Sequence, residues 1–182
     1  MALEHRRGRL LTITGGFALV ALVFIALTLG GGIGGTTGKA QPPVTARSFS
    51  LPTLGHSSGR VSLAAYAGKP VLINLFASWC GPCKRETPLL ARFYRAHHGR
   101  VLIVGIDEID ETAAALRFSQ AAGIGYPVGV DPAGSVASAY GVVALPQTFM
   151  LNSRHQIVRH ITGEVTPGDL GAWARSLAGG KG

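Results

Sequence analysis

Both cysteines of the 182-residue chain lie in one stretch, FASWCGPCKRETP, residues 76–88. Cys80 and Cys83 are separated by Gly81 and Pro82. On a helix this spacing puts the second sulfur one turn beyond the first, on the same face, so the pair can close a ring. Cys80 follows an apolar run, a short loop and Trp79, and falls at the first turn of an expected helix. Unpaired backbone N–H groups and the helix dipole favour a thiolate there, and the thiolate is the species that attacks disulfides. Gly81 and Pro82 suit such a helix start, where a missing N–H carries no penalty. The order of events follows. Cys80, nearer the tip, attacks and forms a mixed disulfide; Cys83, deeper, releases the partner by attacking Cys80. That second step needs Cys83 to lose a proton in a partly buried setting. Glu86 stands three residues later on the same face and is the candidate acceptor. Spacing alone equally allows Glu86 to be a solvated helix charge beside Lys84 and Arg85.

Other uses of two cysteines fit less well. Zinc normally takes four ligands, and the remaining candidates are six scattered histidines without partner spacing. A purely structural bridge over so short a loop constrains the unfolded chain very little. Two cysteines exclude a disulfide-stapled scaffold. His97 and His98 invite a haem reading, but cationic residues are common at a helix C-terminus. No metal and no cofactor is expected.

The elements that must hold the pair can be read around it. SFSLPTLGHSSGRVSLAAYAGK has short alternating runs broken by Gly and Ser, the pattern of edge strands or a hairpin. VLINLF (71–76) and VLIVGI (101–106) are nearly continuous apolar runs, expected as buried strands. The helix from Cys80 should run to about His97 and end near Gly99. Asp110 is the expected cap of a helix over 111–122. YPVGV reads as a short strand, GSVASAY as a short helix, and QTFMLN and QIVRHI as a β-hairpin. Thr166, Pro167 and Asp169 mark the start of a last helix reaching about Ala178. Alternating strands and helices imply an α/β layered domain whose terminal hairpin makes the sheet mixed.

The amino terminus has a different character. Leu10 to Leu29 carries no charge and, as a helix of about 1.5 Å rise per residue, spans about 30 Å, the thickness of a bilayer core. Arg6, Arg7 and Arg9 precede it, which keeps the amino terminus cytoplasmic and sends the rest across. A cleaved signal peptide would have a shorter apolar region and a nearer small-residue site. The expected organisation is therefore a cytoplasmic terminus (1–9), a membrane-spanning helix (10–30), a flexible Gly-rich linker (31–47), one folded domain (48–178) and a tail (179–182). The net charge of +8 is divided evenly between residues 1–47 and 48–182, with no dense basic run in the second part, so nucleic acid is not an expected partner.

WCGPC after VLINLF, with Pro88 five residues past Cys83, resembles the thioredoxin superfamily; GVVALPQTFMLN resembles its second landmark, a cis-proline loop beside the dithiol. More narrowly, FSLPTLG, GKPVLINLFASWC, the insertion containing YPVGVD and the closing hairpin are similar to the membrane-anchored TlpA/ResA/CcmG (DsbE) group of extracytoplasmic thiol–disulfide oxidoreductases. The resemblance covers roughly residues 48–178. It implies a thioredoxin-like α/β fold: a central mixed sheet flanked by helices, an N-terminal strand or hairpin extension, and a central αβ insertion. It implies catalysis by Cys80 and Cys83, Glu86 as proton acceptor in place of the buried thioredoxin Asp, whose position is Asn74 here, and client binding at Trp79, Leu145 and Pro146. It further implies secreted or envelope clients bearing disulfides, most often apocytochrome c, and a transmembrane electron donor. A thioredoxin-type dithiol sits near about −270 mV, so an oxidising compartment would turn it to disulfide unless something re-reduces it. A disulfide-donating oxidase, a thiol peroxidase and a non-catalytic cytochrome-assembly module are the competing functions.

Overall fold

The computed structural model describes residues 44–97 and 100–179. The expected membrane span, most of the linker, His98, Gly99 and the last three residues lie outside the described residues. Among the described residues no helix is long and apolar enough to cross a membrane.

The chain forms β1 (Ser50–Pro52), β2 (Arg60–Ser62), a 3₁₀ turn (Leu63–Tyr66), β3 (Val71–Phe76), α1 (Gly81–Ala96), β4 (Leu102–Glu108), α2 (Thr112–Ala121), β5 (Val128–Asp131), α3 (Ser135–Ala139), β6 (Gln147–Leu151), β7 (Ile157–Thr162) and α4 (Pro167–Gly179). The five-stranded sheet has the order β5-β4-β3-β6-β7. β3 runs parallel to β4, and β4 to β5; β6 is antiparallel to both β3 and β7. The mixed sheet flanked by helices is the expected thioredoxin-like fold, and β1 and β2 form the expected hairpin extension.

β3 is central, and all six of its residues are buried, as a continuous apolar run requires. Its alternate side chains feed two cores. Leu72 and Phe76 meet Cys83 and Leu90 of α1, Ala115 of α2 and Leu170 and Trp173 of α4. Val71, Ile73 and Leu75 meet Leu51, Val61, Leu63 and Val136 on the opposite face. Gly129 on β5 allows β1 to cross closely, since a Cβ there would stand 2.9 Å from the Leu51 Cβ. In α1 the buried positions are Cys83, Glu86, Thr87, Leu90 and Ala91, a helical stripe against the sheet.

Three expectations change. β4 continues past 106 through Asp107 and Glu108, both buried, because Phe76 pairs with Asp107 and Val130 with it from the other side. Asp110 does not cap the next helix: Glu111 does, its carboxylate accepting from Ala113 N–H and Ala114 N–H at 3.0 and 2.8 Å. The carboxylate of Asp110 is held by Ser78 instead. Residues 44–46, expected within the linker, dock along the closing hairpin: Val44 accepts from Ile157 N–H at 2.8 Å, and Ala46 N–H donates to His155 at 2.9 Å. The expected start of the last helix stands as read. Thr166 Oγ1 donates to Asp169 at 2.6 Å, and Asp169 N–H returns to Thr166 Oγ1 at 3.2 Å.

Candidate active site

Cys80 and Cys83 form a disulfide with Cα atoms 5.2 Å apart. Cys80 is the N-cap of α1, and its sulfur accepts from the Cys83 N–H at 3.2 Å. A sulfur anion at this position keeps that donor and the helix dipole. Cys80 retains 4 % exposure and Cys83 none, so of the two residues only the first reaches the surface at all.

One turn further, Glu86 is 2 % exposed, which ends the reading of it as a solvated charge. Its two carboxylate oxygens are each engaged. Oε1 accepts from Asn74 Nδ2 at 2.8 Å, and Oε2 accepts from the Val165 N–H at 2.7 Å. Burial raises its pKa above the ordinary carboxylate value, and the bonds from Val165 and Asn74 partly oppose that rise. Asn74 Nδ2 also reaches Thr148 Oγ1 at 3.0 Å. The acid is thus oriented by β3, by β6 and by the loop before α4. Asn74 enters as the residue that aims the carboxylate; the sequence marked it only as a missing acid.

The loop ahead of Cys80 is latched from the β4–α2 turn. Asp110 accepts from the Ser78 N–H, from Ser78 Oγ at 2.9 Å and from the Glu111 N–H at 2.7 Å. Trp79 Nε1 donates to the Ile109 carbonyl at 3.2 Å. Ile109 takes a φ of 45°, rare for a β-branched residue, with its N–H held by the Asp131 carbonyl at 3.1 Å. Trp79 itself is 61 % exposed, a rim residue and not core packing. Below the latch, Asp107 is fully buried, and burial, reinforced by the neighbouring Asp110 carboxylate, pushes its pKa up to about 8. Burial with Asp131 does the same to Glu108, up to about 8. Neither acid was singled out in the sequence, because a charged pair after an apolar run reads as the end of a strand; the β4 register was the missing signal.

The second landmark is in place. The Leu145–Pro146 peptide is cis. β6 pairs with β3 from Gln147 opposite Leu75, so Pro146 lies level with the end of β3 that leads to Cys80. Pro146 is buried, Leu145 half-buried and Val143 95 % exposed. All six sequence-predicted residues therefore stand at one end of the sheet.

A family profile described as AhpC/TSA matches residues 43–161. The chain belongs to that family. It is 34 % identical over 108 residues to the thiol-disulfide oxidoreductase ResA of Bacillus subtilis (strain 168), covering 59 % of this chain and 60 % of that protein. It is 32 % identical over 127 residues to ResA of Geobacillus thermodenitrificans, covering 69 % of this chain and 72 % of that protein. The crystal structure of a DsbF homologue from Corynebacterium diphtheriae superposes with a TM-score of 0.67 at 29 % identity, covering 79 % of this chain and 94 % of that one. A Cys-Gly-Pro-Cys disulfide in this fold, in this company, makes the chain a thioredoxin-fold thiol–disulfide oxidoreductase.

Proposed function

We propose that the protein works as an extracytoplasmic, membrane-anchored disulfide reductase whose clients carry paired cysteines, such as the haem-binding pair of apocytochrome c. Cys80 attacks a client sulfur as a thiolate, expelling the other client sulfur and forming a mixed disulfide. Glu86 takes the proton of Cys83, and the Cys83 thiolate then attacks Cys80 Sγ. The client leaves as a dithiol, and the enzyme is left as the disulfide seen in the structure. Two electrons pass from enzyme to client in each cycle, and a transmembrane donor of electrons restores the Cys80–Cys83 dithiol. Trp79 and the Leu145–Pro146 segment receive the client, with Leu145 backbone groups adding to an extended client strand. Residues 10–30 hold the domain at the bilayer, and residues beyond about 30 form the tether.

The observation that carries this reading is the buried Glu86 carboxylate, aimed by Asn74 and Val165 one turn below the Cys80–Cys83 pair. A disulfide with only a structural purpose has no use for a desolvated base beside its inaccessible sulfur.

The test uses the reduced full chain and an oxidised peptide containing Cys-X-X-Cys-His. One peptide disulfide should open for each enzyme disulfide formed, and Cys83→Ser should stop at a mixed disulfide on Cys80. A peptide that stays oxidised while the enzyme stays reduced sinks the reductase reading. Rapid oxidation of the dithiol by peroxide alone would favour the peroxidase instead.

A further inference from the structure

The acids of the domain gather at the disulfide end, where Arg85 and Arg159 pair with Glu164 and Asp169 and Lys84 stands beside them, whereas the opposite end carries cations alone. Strands β3, β4 and β5 run toward the disulfide, so their starts define the opposite end. Val71 pairs there with Leu102 and with Leu151. Lys69 precedes β3, Arg100 precedes β4, and Arg154 lies in the turn between β6 and β7. Arg95 is in the last turn of α1 and donates to the Gly123 carbonyl at 2.8 Å, just past α2. Arg100 and Arg175 line an open cavity of about 510 Å³ with His97, Val101 and Leu177. All five of these Lys and Arg side chains are exposed, and none is paired with a carboxylate among the described residues.

No acid offsets them. The eight Asp and Glu of the domain are Glu86, Asp107, Glu108, Asp110, Glu111, Asp131, Glu164 and Asp169. Each lies at the strand end or helix start on the disulfide side, or is buried with the site. The chain also enters the domain at the basic end: Thr45 bridges Gln156, next to Arg154. Val44, the first of the described residues, thus lies at the end that carries the cations, and the uncharged stretch Leu10–Leu29 precedes it in the sequence.

We propose that this basic end docks on anionic lipid headgroups of the bilayer that holds residues 10–30, which turns the Cys80–Cys83 site away from the membrane. The inference rests on the anchored reading above. Charge complementarity and the exit point of the chain name the same occupant. Each Lys or Arg near an anionic surface strengthens attachment on the order of fivefold, decaying over a Debye length of about 8 Å at physiological salt. The six residues of β3 at about 3.3 Å each hold the disulfide roughly 20 Å farther from the lipid than the basic end. A client in the surrounding solution then meets Trp79 and Val143 first, and the electron donor must reach up to the same height.

The experiment uses the full chain in nanodiscs of phosphatidylcholine, with or without phosphatidylglycerol, and a paramagnetic headgroup lipid. Amide broadening is read at Lys69, Arg100 and Arg154 and compared with Trp79 and Ile109. In discs containing phosphatidylglycerol the first group should broaden strongly and the second little. Raised salt or the double variant Arg100→Glu, Arg175→Glu should erase the contrast, the reversal, a change of four charges, weakening attachment by about 600-fold before screening. Both side chains are exposed, and the unchanged spectrum of the core reports that the variant is folded. Equal broadening of both ends, or a contrast indifferent to lipid charge and salt, overturns the proposal. The anchor is read separately, by co-elution of the chain with neutral discs. Should that fail, salt-sensitive co-sedimentation with phosphatidylglycerol vesicles still supports the basic docking face, and its absence overturns it.

Discussion

Replacing Glu86 by Gln probes the proposed proton transfer most directly. The amide is nearly isosteric, so the packing of α1 on β3 is kept. One oxygen remains to accept from either Val165 N–H or Asn74 Nδ2, but the new NH₂ faces the other donor. A buried donor without an acceptor costs about 1–3 kcal/mol, partly offset because the carboxylate no longer has to ionise in a desolvated site. The variant should therefore fold, with a melting temperature lowered by several degrees at most. Its chemistry should suffer far more. A positioned general base contributes about 10²–10⁴-fold to a proton transfer, and only the resolving step uses it. Acid-quenched single-turnover mixing with a disulfide peptide separates the steps. Formation of the Cys80 mixed disulfide should proceed at the wild-type rate, whereas its decay should slow by about 100-fold near neutral pH. The pH profile adds a signature that a structural defect would not give. Wild-type decay should rise until Glu86, its pKa raised by burial, is ionised, and then level off. The variant should keep rising until Cys83 ionises unaided, so that the two converge at alkaline pH. Decay within threefold of wild type across that range would refute Glu86 as the acceptor.

Two other changes test the surroundings of the pair. Asp110→Ala removes the acceptor of Ser78 N–H, Ser78 Oγ and Glu111 N–H, so the loop before Cys80 should loosen. We expect a stability loss of about 1–3 kcal/mol, seen in urea melts, with a red-shifted Trp79 fluorescence; Asp110→Asn should recover part of both, and an unchanged Trp79 spectrum in the Ala variant would contradict the latch. Asp107 has a folded pKa raised to about 8 from an unfolded value of 3.8. Its contribution to stability is full below about pH 4 and is lost progressively as pH rises to about 8, because the unfolded chain releases the proton first. Asp107→Asn should flatten that fall and stabilise the protein by a few kcal/mol at neutral pH, at about 1.4 kcal/mol per pH unit; parallel stability–pH curves for the two proteins would show that Asp107 ionises normally in the fold.

The chemistry was more legible than its supports, for a physical reason. A thiol pair at helical spacing, a helix start and a buried strand are local patterns, and they place Cys80, Cys83 and β3 without tertiary information. Trp79 and Pro146 follow from motifs of similarly short range. What escaped was set by register and packing. Asn74 becomes an orienting residue only because β3 lies under the second turn of α1 and beside Thr148 of β6. Asp110 has the right type and position for a helix cap; Ser78, 32 residues away in the chain, competes for it and wins, and Glu111 takes the cap. Asp107 and Glu108 were invisible as buried acids because nothing local distinguishes them from a strand exit.

The exchange of roles between Asn74 and Glu86 has a consequence for how the site is tuned. A carboxylate on a central strand is fixed by the sheet, and its ionisation is set by burial and by whatever charges and donors surround it there. Here the acid is on the helix that carries both sulfurs, while the strand supplies a neutral amide that hydrogen-bonds to the charged form. Burial pushes the proton on, and Asn74 together with the Val165 N–H pulls it off. The Val165 contribution comes from the segment between β7 and α4, which is itself fixed by the reciprocal bonds of Thr166 and Asp169. Movement of that segment as a client seats on the neighbouring Leu145–Pro146 loop would remove a donor from Glu86 and make it a stronger base. Pro146 accepts from the Gly163 N–H at 3.0 Å, which ties the cis-proline loop to the strand end just ahead of Val165. The proposed client loop and the proposed proton acceptor are thus both bonded to one short stretch of backbone, residues 163–166, far in sequence from the cysteines.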